Sequence, residues 1–403
     1  MWCRLSRLVS SSGLVNIYML SFSLLTCEQR DHATDYDSIP PHGRWQHFEV
    51  GGRPRLDQLL ESWPSTVDFQ ERTRRLIDLF LVSVLLDAGA GSAWKYESRE
   101  SGKRFSRSEG LAVASLEMFK SGFFSSSATE PCQVDGPGLK TITASKLAKG
   151  LQVTEENPLV GMEGRAELLN NLSWALKNQE FFGVDARPGN MLDYLLSHPA
   201  TLASSVPIVP ITTLWTVLTE GLEPIWPPSR TQIDGVSLGD AWVCWDQRSS
   251  GPPAQKWESI VPFHKLTQWL CYSVMVPMAS LMNMYFSGSE LLTGLPEYRN
   301  GGLLIDTGLL NLKEHDLKRG IEAYKINSKV KGQPSVEVVP LFTVDDDVVV
   351  EWRAVTVGFL DDLLDEVNSQ LGLKPEDHIT LAQMLEAGTW KVCTVSCILP
   401  EFS

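Results

Sequence analysis

The chain has 403 residues, 43% hydrophobic and 21% charged, the composition of an ordinary globular protein and not of a disordered one. Its net charge of -14 and the lack of any Lys/Arg-rich run exclude a broad phosphate-backbone partner, so no nucleic acid is expected. The seven cysteines are scattered and never form CxxC, and the seven histidines form no HxxxH or HExxH. No disulfide framework or metal signature follows, and the expectation is no tightly bound metal and a reducing compartment.

In chain order, Arg4 and Arg7 ahead of LVNIYMLSFSLLTC resemble a secretory signal, but that run is too short and too broken by Ser and Asn to span a membrane. After a polar stretch, GRWQHFEVGG reads as a short ordered loop. ERTRRLIDLFLVSVLLDAGAG predicts a long buried helix, with Leu76, Phe80, Ser83 and Val84 at helical spacing and Gly89 and Gly91 as its stop. Ser106 and Glu109 have the spacing of a capping box, which predicts a helix from about Arg107 to Phe119. Leu168, Leu172, Ala175 and Leu176 mark a further helix.

In DARPGNMLDYLLSHP, Pro188 suits a first helical turn, which would gather Asp185, Arg187 and Asn190 at a helix N-terminus attractive to an anion. Between Pro207 and Pro262 a helix gives way to an irregular excursion whose Trp215, Trp226, Trp242, Trp245 and Trp257 read as core and wall. VPFHKLTQWLCYSVMVPMASLMNMYF is a second long apolar helix, interrupted or bent at Pro277, with His264, Lys265 and Gln268 in its first turn. SVEVVPLFTVDDDVVVEWRAVTVGFLDDLLDEVNSQLG opens like a strand and ends as a helix. The favoured reading starts that helix near Val348 with Asp345 to Asp347 at its positive end; a strand would instead pair Glu351 with Arg353. The expected fold is mainly α with a minor β component. It forms a single large helical domain over 36–391, between an atypical N-terminal segment (1–35) and an atypical tail (392–403).

Three groups could carry chemistry: Asp185 with Arg187 and Asn190; Glu297 with Arg299, Asn300 and Asp306; and Glu351 with Arg353. Each sets an acid beside an arginine and near small residues. Taken singly, each is more simply a structural ion pair. The pair His264 and Lys265 is weaker still, since a first-turn histidine is often a capping or solvated residue. No serine-nucleophile motif, Walker loop or dinucleotide fingerprint competes, so any catalysis would be carboxylate chemistry.

The strings GRWQHFEVGG, AWKYESRESG, RSEGLAVASLEMF, DARPGNMLDYLLSHP, PFHKLTQWL, GLPEYRNGGLLIDTG and EWRAVT, in this order, resemble the uracil catabolism protein four family of fungi and bacteria. EWRAVT, PFHKLTQWL and PEYR are also similar, more distantly, to motifs of queuosine-nucleotide N-glycosylases, whose mostly helical fold is DNA-glycosylase-like. The resemblance implies a role in uracil degradation as an N-glycosidase that hydrolyses the ribose–urea bond of ribosylurea or its 5'-phosphate without a cofactor. By position it makes Glu297 the carboxylate near the anomeric carbon, with Asp306 in reserve. Arg299, Asn300 and Glu351 would hold sugar hydroxyls or orient that acid, and Arg187 at its helix N-terminus would receive a 5'-phosphate or, without one, a hydroxyl or the urea oxygen; Arg353, Asp185, Asn190, His264 and Lys265 are expected with them as substrate-binding residues. In the glycosylase-like relatives an aspartate stands where Glu297 aligns. The alternative is a non-catalytic ligand-binding or scaffolding protein associated with other uracil-degradation enzymes. Both ends depart from the family pattern and resemble non-native exon choices; on that expectation the signal-like start is an artefact and the protein is cytoplasmic.

Overall fold

The computed structural model describes residues 5–7, 36–87, 89–90, 93–244, 256–327 and 338–390, and in them helices carry the fold while strands form two-stranded pairings. The helices that build the site are α1 (Arg44–Phe48), α2 (Phe69–Leu86), α3 (Arg107–Lys120), α4 (Met162–Ala175), α5 (Ile211–Glu220), α6 (Lys265–Met282), α7 (Tyr298–Asp306) and α8 (Asp347–Gln370). Residues Leu5–Arg7 pair antiparallel with Leu310–Leu312, and Ala241–Val243 pair antiparallel with Ile260–Pro262. The strand Ile208–Pro210, just before α5, pairs parallel with Tyr285–Ser287, just after α6. The fold is mainly α with minor β. The rest of the signal-like start, Gly91, Trp245 and the tail beyond Trp390 lie outside the described residues.

From Leu76 onward α2 is apolar apart from Asp78 and Ser83, and that half is buried on every side, as a helix segment without a polar face must be. Asp68 starts it by accepting the Glu71 N–H at 2.8 Å. Helix α6 lies against it, and one hydrophobic cluster runs from Ile39 through both helices to Leu385. Pro277 sits inside α6 without ending it. No helix among the described residues is long and apolar enough to cross a membrane.

Several sequence expectations need correction. The stretch read as a short ordered loop, GRWQHFEVGG, contains helix α1, and 338–346, expected to open like a strand, carries none. Ser106 does occupy the N-cap of α3, but its hydroxyl makes no capping bond; the next residue, Arg107, has φ +52, so the chain enters the helix through a left-handed turn and not through a capping box. The strand alternative for Glu351 and Arg353 also fails. Both lie on α8, which starts at the Asp346 N-cap through a bond from the Val348 N–H at 3.0 Å, and Arg353 pairs elsewhere.

That other partner is Asp240, just before the strand Ala241–Val243. Arg353 grips it at 2.8 and 2.7 Å, and its Nε also donates to the Pro296 carbonyl at 3.2 Å. Asp240 further accepts the Trp242 indole N–H at 2.7 Å and the Lys265 N–H at 2.9 Å. One carboxylate therefore ties the start of α6 to α8, and through Arg353 to the loop before α7. Burial alone would raise this carboxyl; the guanidinium, the indole and the amide more than reverse that and hold it down at about 2.

Glycines bring α7 against α8. A Cβ on Gly301 would stand 2.4 Å from the Trp352 ring, whose indole N–H donates to the Gly301 carbonyl at 3.0 Å. A Cβ on Gly294 would meet Leu360 at 2.6 Å, whereas one on Gly302 would meet nothing within 4 Å. Urea denaturation should therefore separate the adjacent glycines: Gly301→Ala should lose about 1–3 kcal/mol through overpacking, and Gly302→Ala should be neutral or gain up to about 1 kcal/mol from helix propensity. Equal effects would refute the packing argument. For Asp240, a folded-state pKa below the unfolded one gives stabilisation that is full above the unfolded carboxyl pKa of 3.8 and lost as pH falls through about 2. Asp240→Asn should lower stability at pH 7 by about 2 kcal/mol and flatten stability against pH in that acid window, read from denaturation midpoints.

Candidate active site

A conjunction of buried polar side chains lies where α1, α6, α7 and the chain around Leu385–Thr389 meet. Arg44, at 0% exposure, donates from Nη1 to Asp87 at 2.6 Å and from Nε to Ser83 at 2.8 Å, both at the C-terminal end of α2. Its backbone N–H donates to Ser273 Oγ on α6 at 3.1 Å, so α1 is pinned to both central helices. The same short segment presents two histidines, His42 and His47, both buried.

His47 Nδ1 lies 3.1 Å from the Gly43 carbonyl, which can only accept, so the proton is on Nδ1 and Nε2 carries a lone pair. Burial first, then the neighbouring Arg44 and His42, push this imidazole well below its usual range, and it is neutral at pH 7. His42 Nδ1 lies 2.7 Å from Glu386 Oε2. Glu386 sits on a π-helical turn over Leu385–Thr389, a form that recurs at functional sites.

Two tryptophans wall the cluster. The Trp390 ring lies 4.7 Å from that of His42 and 5.4 Å from that of His47; Trp269 lies 6.4 and 5.8 Å from the same two rings. Arg44 reaches over Trp269 at 5.5 Å, Lys265 over the same ring at 5.3 Å, and Arg299 over Trp390 at 3.7 Å. Within this cluster His42 Nε2, His47 Nε2, Arg44 Nη2 and Trp269 Nε1, and beside it Asn300 Oδ1, are buried with no hydrogen-bond partner among the described residues. Each such group costs about 1–3 kcal/mol. A fold tolerates several in one place where they serve a ligand.

The sequence-predicted residues divide around this cluster. Arg299, Asn300 and Lys265 belong to it or adjoin it. Glu297 is the N-cap of α7; its two oxygens accept the Arg299 and Asn300 N–H groups at 2.9 and 2.8 Å, which orients the turn that presents those side chains. Arg353 braces the same loop, and Glu351 is half-buried on α8. Asp306 is exposed at the opposite end of α7, about 13 Å from Glu297 by helical rise.

Asp185, Arg187 and Asn190 line a separate polar cleft of about 630 Å³ beside the N-terminal half of α2. There Arg187 is engaged by Asp78 at 2.8 Å and Glu71 at 3.2 Å, and Asn190 donates to the Phe182 carbonyl. His264 faces another cleft, of about 560 Å³, with Trp215, Trp226 and Trp257. The structure thus does not bring all the predicted residues to one pocket. Sequence reasoning missed His42, Arg44, His47, Trp269, Glu386 and Trp390; the available signal was two histidines and an arginine within six residues of aromatic-rich sequence, HGRWQH.

In comparisons with known proteins, the chain is 44% identical over 366 residues to "Uracil catabolism protein 4" of Lachancea kluyveri, covering 90% of this chain and 81% of the relative. It is 43% identical over 364 residues to "Protein urg3" of Schizosaccharomyces pombe, covering 90% and 80%. Residues 19–394 match the family described as "Protein of unknown function (DUF1688)", and with nearly the whole chain inside that match the protein belongs to this family.

Proposed function

We propose that this protein works in uracil catabolism as a cofactor-independent hydrolase that cleaves the bond between ribose and a urea nitrogen, in ribosylurea or its 5'-phosphate. The uracil-catabolism part rests on the name of the Lachancea kluyveri relative. The observation that carries the rest is the set of buried polar atoms on His42, Arg44, His47 and Trp269 that have no hydrogen-bond partner among the described residues, beside the Trp269 and Trp390 rings. A small ligand with both donors and acceptors answers those atoms, and a sugar joined to urea has both.

Breaking an N-riboside passes through an oxocarbenium-like sugar, which needs a nearby negative charge, a directed water and a proton for the departing nitrogen. In this reading Glu297 supplies the charge. Two backbone N–H bonds fix the orientation of its carboxylate, and lone pairs remain for a substrate. Arg299 and Asn300, on the first turn of α7, hold sugar hydroxyls. The Trp269 and Trp390 rings shield the reacting centre from bulk water.

A non-catalytic ligand-binding protein is the competing reading, favoured by the capping bonds that already occupy Glu297. Incubation of the purified protein with synthetic ribosylurea and with its 5'-phosphate, with free sugar and urea quantified, separates the two. Release of both products, reduced about 10²- to 10⁴-fold by Glu297→Gln, is the expected result; the amide keeps a capping oxygen while removing the charge. Binding of either compound without release would leave the ligand-binding reading standing and end the hydrolase one.

A further inference from the structure

We infer that His42, held by Glu386, is the group that takes the proton from the attacking water at this site; the inference rests on the hydrolase reading above. Its warrant is geometric. Glu386 can only accept when ionised, so at 2.7 Å it fixes the His42 proton on Nδ1 and leaves the Nε2 lone pair facing the cluster, buried and unmatched among the described residues. A carboxylate behind an imidazole fixes the tautomer and stabilises the imidazolium formed when the ring takes a proton.

No other side chain of the cluster combines these properties. His47 has a bare Nε2 as well, but its Nδ1 is backed by a neutral carbonyl, and Arg44 and His42 lie close enough to oppose a positive charge on its ring. Its fitting part is to accept a hydrogen bond from the substrate. Glu297 is held by two N–H donors of its own helix. Among the described residues, the charged and titratable groups around His42 are Glu386 on the π-turn, His47 and Arg44 on its own segment, Arg299 on α7 beyond Trp390, and Lys265 on α6 beyond Trp269.

The step balances. Water oxygen bonds to the anomeric carbon as its proton passes to His42 Nε2; the carbon–nitrogen bond breaks, and its electron pair leaves with the urea nitrogen. The imidazolium then returns the proton to that nitrogen, giving free ribose, urea and neutral His42. His42 is thus a catalytic residue and Glu386 a positioning residue.

The test is steady-state kinetics of the full chain with ribosylurea and its 5'-phosphate. His42→Ala should lower kcat about 10²- to 10⁴-fold with KM changed by less than about threefold, and added imidazole should restore part of the lost rate. Glu386→Gln should lower kcat about tenfold or more without imidazole rescue, and Glu386→Asp should recover part of it, which a purely structural role would not produce. If His42→Ala fails to fold, His42→Gln, which keeps an N–H for Glu386, gives the same reading of kcat. Wild-type turnover with kcat in the His42 variants within about threefold of wild type overturns this inference and leaves the hydrolase reading intact. Wild-type protein that releases nothing from either compound overturns the hydrolase reading, and this inference with it.

Discussion

The arrangement at the site depends on one guanidinium taken wholly out of water. A buried arginine cannot shed its charge, so its environment must supply an anion and hydrogen-bond acceptors. Asp87 and Ser83 do this for Arg44 from the last turn of α2 and the residue after it. Because Arg44 opens α1, the pairing drags that short helix into the groove between α2 and α6, where Gly43 leaves room against the Ser273 backbone. His42 and His47 flank Arg44 in sequence, so their burial follows from its burial. Helix α1 is too short to hold itself together, and its geometry is imposed from outside.

Another buried ion pair, between Asp78 and Arg187, is informative by contrast. Asp78 receives Arg187 together with the Gly189 and Val134 N–H groups at 2.7 and 3.2 Å, and Gly189 packs so near α2 that a Cβ there would stand 2.4 Å from the Arg74 carbonyl. It joins a turn to a helix and reads as architecture. Around Arg44 the matching among the described residues is incomplete: one guanidinium nitrogen, two imidazole nitrogens and an indole N–H are left over. Charge pairing alone does not separate a site from a strut. Surplus hydrogen-bonding capacity does.

The long helices were legible in the sequence because their burial is local information. Leu76, Phe80 and Val84 repeat at helical spacing in α2, and the aspartates before Val348 announced the start of α8. The PEYR segment was also recognisable as a place where polar groups gather, and Arg299 and Asn300 are indeed buried there. What could not be read was which groups meet. Arg353 turns to Asp240, 113 residues away, in place of its neighbour Glu351. Asp185, Arg187 and Asn190 share a cleft as their spacing suggested, but the acids that engage Arg187 come from α2. HGRWQH looked like a loop because nothing within six residues shows that Arg44 will be paired by a helix some forty positions on. Buried charges choose partners by tertiary distance and not by nearness along the chain.

The His42–Glu386 bond spans 344 residues. During synthesis at about 5–20 residues per second, the segment with His42, Arg44 and His47 leaves the ribosome roughly 17–70 s before the turn that carries Glu386 and Trp390. Over that interval α2 and α6 can already close around Arg44, since Asp87, Ser83 and Ser273 are all upstream, while one wall of the cluster does not yet exist. The nascent protein therefore passes through a stage in which the polar groups of this cluster are held in place yet open on one side, and the turn that carries Glu386 and Trp390 is the lid that ends it.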